Sequence, residues 1–391
     1  MIYLDYNATT PLCDAAWRAM QPYFERHFGN PSSVHRAGRE TRAAIDDARD
    51  RLAGLIGAKP HEIIFTSGGT EANNLALLGL ARRSAPNGKH LISNRAEHHA
   101  VLHTLEHLQK RKGFEVTWLD VSRGGLIDPD QLESAIRSDT TLVSVMTANN
   151  ETGVIQPMEE IAARCKKHGV LLHSDMVQSF GKLPADFTIN LPCDAASFGA
   201  HKFYGPKGAG FLYLRSGLPI DRIQFGGAHE GERRPGTENV PAIVGMAEAA
   251  EEVCANLPNE HAREENLRDE LWRGLARACP EAEQNAAAAP RLANTLNVSF
   301  PGLSSETLLM ALDLEGICAS SGSACMVGSV MASHVLLEMG LPRERAGSAI
   351  RFSLGKETTA AEIEATIAAV ERIVGRHRSR ITAQAGQPAF V

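Results

Sequence analysis

The 391-residue chain has no apolar run long enough to cross a bilayer, so no membrane role is expected. It has no surplus of positive charge. Its 40 basic and 46 acidic residues leave a net charge of −6, which argues against a general nucleic-acid binder. Its seven cysteines include no C-x-x-C pair, which fits a reducing cytoplasm better than a disulfide framework. The odd count makes a free thiol worth seeking. The start, Met1-Ile2-Tyr3-Leu4-Asp5-Tyr6, lacks a basic segment followed by an apolar one, so no secretory signal is expected and a cytoplasmic location is. No G-x-x-x-x-G-K-[ST] occurs and no G-x-G-x-x-G follows a strand, which removes the nucleotide-loop readings. There is no internal repeat. What is present, 43% hydrophobic and 22% charged residues, is the composition of a soluble globular protein with room for about two domains.

Short apolar strands alternate with helical stretches over the first two thirds of the chain. Strands are expected at Ile63-Ile64-Phe65, Leu91 to Ser93, Val116 to Leu119, Leu142 to Met146, Leu171 onward, up to Phe198, and at Phe211 to Leu214. Helices are expected at Ala37 to Leu55, Glu71 to Arg83, His98 to Lys110 and Ile161 to Lys167. This alternation predicts an α/β fold: a large domain with a mainly parallel sheet flanked by helices, its ligand at the strands' carboxyl ends. After Pro241 helices dominate, and Leu267, Leu271 and Leu275 share one helical face as core packing. Leu296 to Phe300 alternates as a strand. A smaller α+β C-terminal domain follows to about Gly375, with a polar tail. The expected boundaries are 14–257 for the large domain, with 1–13 and 258–391 forming the small one.

Three blocks end at such strand edges. Phe65-Thr66-Ser67-Gly68-Gly69-Thr70-Glu71 reads as strand, glycine turn and helix start, which offers free N–H groups to a phosphate. Leu171-Leu172-His173-Ser174-Asp175-Met176-Val177-Gln178 is an apolar strand ending on an acid and then an amide. Ala195 to Gly208 is a small-residue strand that delivers His201-Lys202 into a turn built on Gly205, Pro206 and Gly208. A lysine there is partly desolvated, which favours its neutral, nucleophilic amine. A solvated lysine beside a Gly/Pro loop is the commoner arrangement. Phosphate cradle, acid and lysine together are what pyridoxal phosphate requires.

Other residues are less decided by sequence. His98 directly follows a strand end and is placed to lie over a planar cofactor. His99, His103 and His107 fall on one helical face at i, i+4 and i+8. A metal site is one reading and a solvated face the favoured one. Ser320-Ser321-Gly322-Ser323-Ala324-Cys325 places a thiol after small flexible residues, in an accessible loop where reactive cysteines occur. Cys165 and Cys318 read as packing residues. Arg351, in an apolar strand-like setting, suits two-point binding of a carboxylate or, equally, an internal salt bridge.

With these residues assembled, the chain resembles the cysteine desulfurases of the NifS/IscS type, in the class V branch of fold-type I pyridoxal-phosphate enzymes. The matching blocks include Tyr3 to Pro11, Gly29 to Ser33, Thr66 to Asn74, Glu97-His98, Asn149 to Gly153, His173 to Lys182, His201 to Gly208, Arg234 to Asn239, Ser320 to Cys325 and Arg351 to Gly355. The resemblance implies that the cofactor is pyridoxal 5'-phosphate and that Lys202 is its Schiff-base lysine. Asp175 would pair with the pyridine nitrogen, Gln178 with the ring hydroxyl oxygen, and His98 and Val177 would cover the two ring faces. Gly69, Thr70 and His201 would bind the phosphate, with Thr237 reaching in from the second subunit of a homodimer. Asn150 would contact the cofactor and, with Arg351, hold the carboxylate of L-cysteine. Cys325 would be the nucleophile that carries sulfur as a persulfide to an iron–sulfur scaffold or another acceptor protein, with transient iron–sulfur ligation as a possible extra role.

The same resemblance highlights departures. Gly199 stands where serine is usual, Met176 where alanine is common, and Val330-Met331-Ala332-Ser333 replaces the usual Leu-Glu-Pro-Ser. The end of the chain lacks the segment with which housekeeping members dock their scaffold. These features tilt the expectation toward a nitrogen-fixation-type desulfurase. The rival readings are a selenocysteine lyase or cysteine-sulfinate desulfinase on the same fold, and a cofactor-bound scaffold without activity.

Overall fold

The computed structural model describes the backbone of residues 1–183, 192–322 and 332–385, and side chains as far as residue 378. The chain runs β1 (Ile2–Tyr3), α1 (Asp14–Glu25), α2 (Arg36–Leu55), β2 (Ile63–Thr66), α3 (Gly69–Ser84), β3 (His90–Asn94), α4 (His99–Lys112), β4 (Glu115–Leu119), α5 (Pro129–Ala135), β5 (Thr140–Ser144), α6 (Met158–His168), β6 (Leu171–Asp175), β7 (Ala195–Gly199) and β8 (Gly210–Leu214). Then come α7 (Val240–Ala278), β9 (Glu283–Gln284), β10 (Thr295–Ser299), α8 (Ser305–Leu314), β11 (Ile317–Cys318), α9 (His334–Glu338), α10 (Arg343–Gly347), β12 (Ala349–Ser353) and α11 (Ala360–Ala385).

Seven strands form one sheet in the order β2-β8-β7-β6-β5-β3-β4. Strand β8 is antiparallel to both neighbours, and the remaining pairs are parallel. A sheet of this kind needs helices on both faces, which is why its inner strands read as short apolar runs without alternation. One face packs Val143, Leu172 and Phe198 against Ile45, Leu52 and Met246 from α2 and α7. The other packs Leu91, Leu142 and Leu212 against Leu75, Leu80, Val101 and Leu105 from α3 and α4. The mainly parallel, helix-flanked sheet expected from the sequence is therefore present.

The 39-residue α7 continues beyond the sheet, and Leu267, Leu271 and Leu275 enter a second cluster with Leu296, Phe352 and Val370. Their assignment to core packing holds. Here β10 lies between β12 and β9, antiparallel to both. Helix α11 continues to Ala385, where the sequence suggested a polar tail after about Gly375. Its apolar positions Ile363, Val370, Ile373 and Val374, all before Gly375, are buried.

Three strands, β2, β6 and β7, end at the same edge of the sheet, at Thr66, Asp175 and Gly199. The N-terminal run crosses to that edge from β12. The Tyr6 N–H donates to the Ser353 carbonyl (3.2 Å) and the Asn7 N–H to Ser353 Oγ (2.9 Å). Thr10 then braces the turn after β7: its N–H donates to the His201 carbonyl (2.9 Å), and its Oγ1 accepts from the Tyr204 N–H (2.8 Å).

Candidate active site

That edge lines a cavity of about 600 Å³. Its wall carries Gly69, Thr70, His98, Asn150, Asp175, Val177, Gln178, His201, Lys202 and Arg351, which are the described chain's predicted cofactor and substrate residues apart from Thr237. They come from the end of β6, from β12, from the start of α3 and from the turns that follow β3, β5, β6 and β7, brought together by strand order.

Lys202 ends a single 3-10 turn, Ala200–Lys202, that follows β7 directly. Tyr204 then takes φ 64°, a left-handed conformation costly for a non-glycine residue. Gly205 is required by a close approach, since a Cβ there would stand 2.9 Å from the Ala200 Cβ. The tight turn turns Lys202 toward the N-terminal run, where Nζ donates to the carbonyls of Asn7 and Ala8, each at 2.7 Å.

Asp175 is the last residue of β6 and is buried. Two donors fix its carboxylate: Asn73 Nδ2 to Oδ2 (2.6 Å) and the Val177 N–H to Oδ1 (3.0 Å). Helix α3 begins at Gly69, so the unpaired N–H groups of its first turn border the cavity. A Cβ on residue 69 would stand 2.5 Å from Val177 Cγ2, so glycine is what lets the turn lie against that wall.

His98 caps α4, its Nδ1 accepting from the Ala100 N–H at 3.1 Å. Burial pushes its pKa down, Asp175 opposes the shift and Lys202 adds to it. An Nδ1 that accepts from a backbone N–H belongs to the neutral ring with its hydrogen on Nε2. His201 is pushed down to about 4, first by burial and then by Lys202, Lys207 and Lys182, so it is a neutral N–H donor. Beneath them Glu97 is fully buried. Its Oε1 accepts from Asn94 Nδ2 (2.9 Å) and the Met146 N–H (2.7 Å), its Oε2 has no partner among the described residues, and burial pushes the acid up to about 8.

Arg351 forms the internal salt bridge that was one of its two sequence readings. Nη2 pairs with Asp5 Oδ1 at 2.5 Å and Nη1 donates to the Asn150 carbonyl at 2.9 Å, yet the residue lines the cavity. Its Nε is buried without a partner among the described residues. Gln178 donates from Nε2 to the Asn7 carbonyl (2.9 Å) and accepts at Oε1 from Lys182 Nζ (2.8 Å).

Thr237 does not line this cavity; it borders another of about 940 Å³, with Arg49, Glu230 and Glu238. Cys325 lies outside the described residues, which reach the cavity wall at Gly322. The six described cysteines are free thiols. Cys165 is buried, as expected of a packing residue, but Cys318 is only half-buried, in the two-residue strand beside Tyr3. The histidine row divides. His103 and His107 are exposed, whereas His99 is half-buried, its ring 4.8 Å from that of His103 and 4.5 Å from that of His334. Among the described residues no three His, Cys, Asp or Glu converge as metal ligands.

Sequence reasoning missed Asp5, Asn7, Asn73 and Lys182. The available signal for the first two was the polar run Asp5 to Thr10, which gives no sign of which residue turns inward.

Amine, fixed carboxylate, helix N-terminus and neutral imidazoles on one wall suit pyridoxal phosphate, and the fold and site define a pyridoxal-phosphate enzyme of fold type I. Residues 2–366 match the family described as Aminotransferase class-V. The chain is 45% identical over 378 residues to "Cysteine desulfurase IscS" of Dictyoglomus turgidum, covering 97% of this chain and 95% of that one. It is 44% identical over 379 residues to "Cysteine desulfurase 2" of Trichormus variabilis, covering 97% and 94%. A solved structure titled "NIFS-LIKE PROTEIN" superposes with a TM-score of 0.89 at 38% identity, covering 96% of this chain and 99% of that one. Another, "SspA in complex with cysteine", gives 0.80 at 34% identity, covering 90% and 99%. The chain belongs to the class-V aminotransferase family, among its cysteine desulfurases.

Proposed function

We propose that this chain takes sulfur from L-cysteine with Lys202 as the base and Cys325 as the sulfur acceptor, releasing L-alanine. The observation that carries the reading is the single cavity holding Lys202, Asp175, Gln178, His98 and Arg351.

Pyridoxal phosphate, when bound, supplies the electron sink that makes the substrate's Cα–H acidic. Lys202 would hold it and would take the substrate's Cα proton at Nζ. Asp175, held by Asn73 and Val177, would pair with its pyridine nitrogen. Gln178 would donate to its ring oxygen, with His98 and Val177 against the ring. Gly69, Thr70 and His201 would hold its phosphate through N–H and hydroxyl donors. Arg351 and Asn150, both on the cavity wall, would receive the substrate carboxylate. Cys325 as thiolate then forms an S–S bond to the substrate sulfur while the substrate C–S bond breaks. The substrate carbon takes a proton, alanine leaves, and Cys325 keeps the sulfur as a persulfide.

The acceptor of that persulfide is proposed to be an iron–sulfur scaffold protein, and the working unit a homodimer. Thr237 supports the second point, because it sits away from its own chain's cofactor cavity and needs a neighbour to reach one.

The test is to add L-cysteine, L-selenocysteine and cysteine sulfinate to the purified protein and measure alanine, with and without reductant. Alanine from cysteine, lost in Cys325→Ala while the cofactor spectrum is kept, is the expected result. Alanine from selenocysteine or sulfinate alone would assign a different activity, and normal turnover by Cys325→Ala would move the nucleophile elsewhere.

A further inference from the structure

Behind the cofactor cavity lies a smaller one of about 50 Å³, bordered by Lys182, Lys202, Tyr204, Glu264 and Asn294. Lys182 belongs to none of the roles assigned above. Its Nζ donates to Gln178 Oε1 at 2.8 Å and to Asn7 Oδ1 at 3.0 Å.

The oxygen and nitrogen of an amide are assigned from their partners. Here the partners leave one choice. The Asn7 carbonyl can only accept, so it must face Gln178 Nε2. With Nε2 so placed, Oε1 is the atom that faces Lys182, and Nζ donates to it. A flipped amide would set –NH2 against –NH3⁺ and carbonyl against carbonyl. The second N–H on Nε2 then has no acceptor among the described residues, and Gln178 lines the cofactor cavity.

We propose that Lys182 is a positioning residue for the cofactor, holding the Gln178 amide with its –NH2 turned toward the ring oxygen. The proposal rests on the reading of Gln178 given above. Lys182 is anchored for this task, because Asn7 Oδ1 also accepts from Asn294 Nδ2 at 3.1 Å and so stays in place. The groups facing Lys182 are Lys202, Arg351 and Glu264. Burial, followed by Lys202, pushes its ammonium down to about 7, with Arg351 adding and Glu264 opposing.

The experiment uses the holoenzyme without substrate and follows the visible absorption of the bound cofactor against pH. A donor to the ring oxygen favours its ionised form, so losing that donor raises the spectral midpoint. Lys182→Met and Gln178→Leu are each expected to raise it by about one unit. The double variant is expected to rise no further than the larger single one, because both changes remove the same hydrogen bond. An unchanged midpoint in Lys182→Met overturns the proposal. So does a double variant equal to the sum, which would mean that Lys182 acts by charge and not through Gln178. If Lys182→Met does not fold, Lys182→Gln replaces it. Its amide N–H can still donate to Oε1, so a midpoint near wild type is expected, and one as high as in Gln178→Leu overturns the proposal. Borohydride labelling of the wild type separates the two levels. A cofactor fixed elsewhere than Lys202 removes the underlying reading, whereas a normal label with no shift removes only the role of Lys182.

Discussion

Arg351 and Asp5 form an ion pair at 2.5 Å across 346 positions of sequence, on the wall of the cofactor cavity. Arg351 is only 2% exposed. A buried guanidinium without an anion is costly, so Asp5 balances its charge and holds its orientation before any ligand arrives. The Asn150 carbonyl holds a second edge of the guanidinium, so its plane is fixed from two sides. If Arg351 takes the substrate carboxylate as proposed, that ligand meets a group already oriented, with little ordering left to do.

Arg351→Lys is expected to raise KM for cysteine about tenfold or more while leaving the cofactor spectrum unchanged. Lysine keeps the charge but loses the planar fork that bonds Asp5, Asn150 and a ligand at once. Steady-state alanine production measures it, and an unchanged KM would place the carboxylate site elsewhere.

Gly199→Ser is expected to bind pyridoxal phosphate about tenfold tighter, because a hydroxyl donor to the phosphate is worth on the order of 1.5–3 kcal/mol. Residue 199 has φ −138°, ordinary extended backbone, so no left-handed conformation reserves the position for glycine. A serine Cβ would stand 3.3 Å from the Gly69 N, so the turn must give by a few tenths of an ångström. Cofactor dissociation from the two proteins decides it. Equal or weaker binding in the variant would mean that the turn does not yield.

Glu97 gives a pH prediction. Its folded acid stands near 8 against an ordinary value of 4.5. Between those values the folded state keeps a proton that the unfolded state has lost, so stability from this group falls as pH rises through the window. Urea midpoints at about pH 5 and pH 8 should therefore drop more in wild type than in Glu97→Gln. Equal drops would mean that the buried acid is ionised after all.

Mixing inactive Lys202→Ala chains with inactive Thr237→Ala chains should restore activity. Each mixed dimer can then form one site with an intact Lys202 and an intact Thr237 from the partner. Exchange without recovered turnover would argue against a shared site.

Lys202, Asp175 and Gly69 were legible because each lies at or within three residues of the end of a short apolar strand, and the edge of a parallel sheet gathers such ends. That information is local. Asp5, Asn7 and Lys182 were not legible as site residues. Asp5 and Asn7 meet partners 171 to 346 positions away, which spacing along the chain cannot reveal, and Lys182, four residues from Gln178, is anchored on Asn7, 175 positions away. Arg351 shows an intermediate case. Its apolar strand context signalled a functional or paired guanidinium, but choosing between them required Asp5 to be placed beside it. The histidine row was legible as a helical face, yet burial of His99 depended on His334 from α9.

Helix α7 passes without interruption from the sheet's core into the second cluster, and this sets a phase for the whole second half of the chain. One residue inserted between Pro258 and Glu264 would rotate everything downstream by about 100° and advance it by about 1.5 Å. Leu267, Leu271 and Leu275 would leave their core together, and Glu264 would turn away from the cavity behind Lys202. Substitutions on the exposed side of this helix are cheap, but its length is not free to drift. The distance between the two cores is counted in residues, and that count is a constraint as strict as any single side chain in the site.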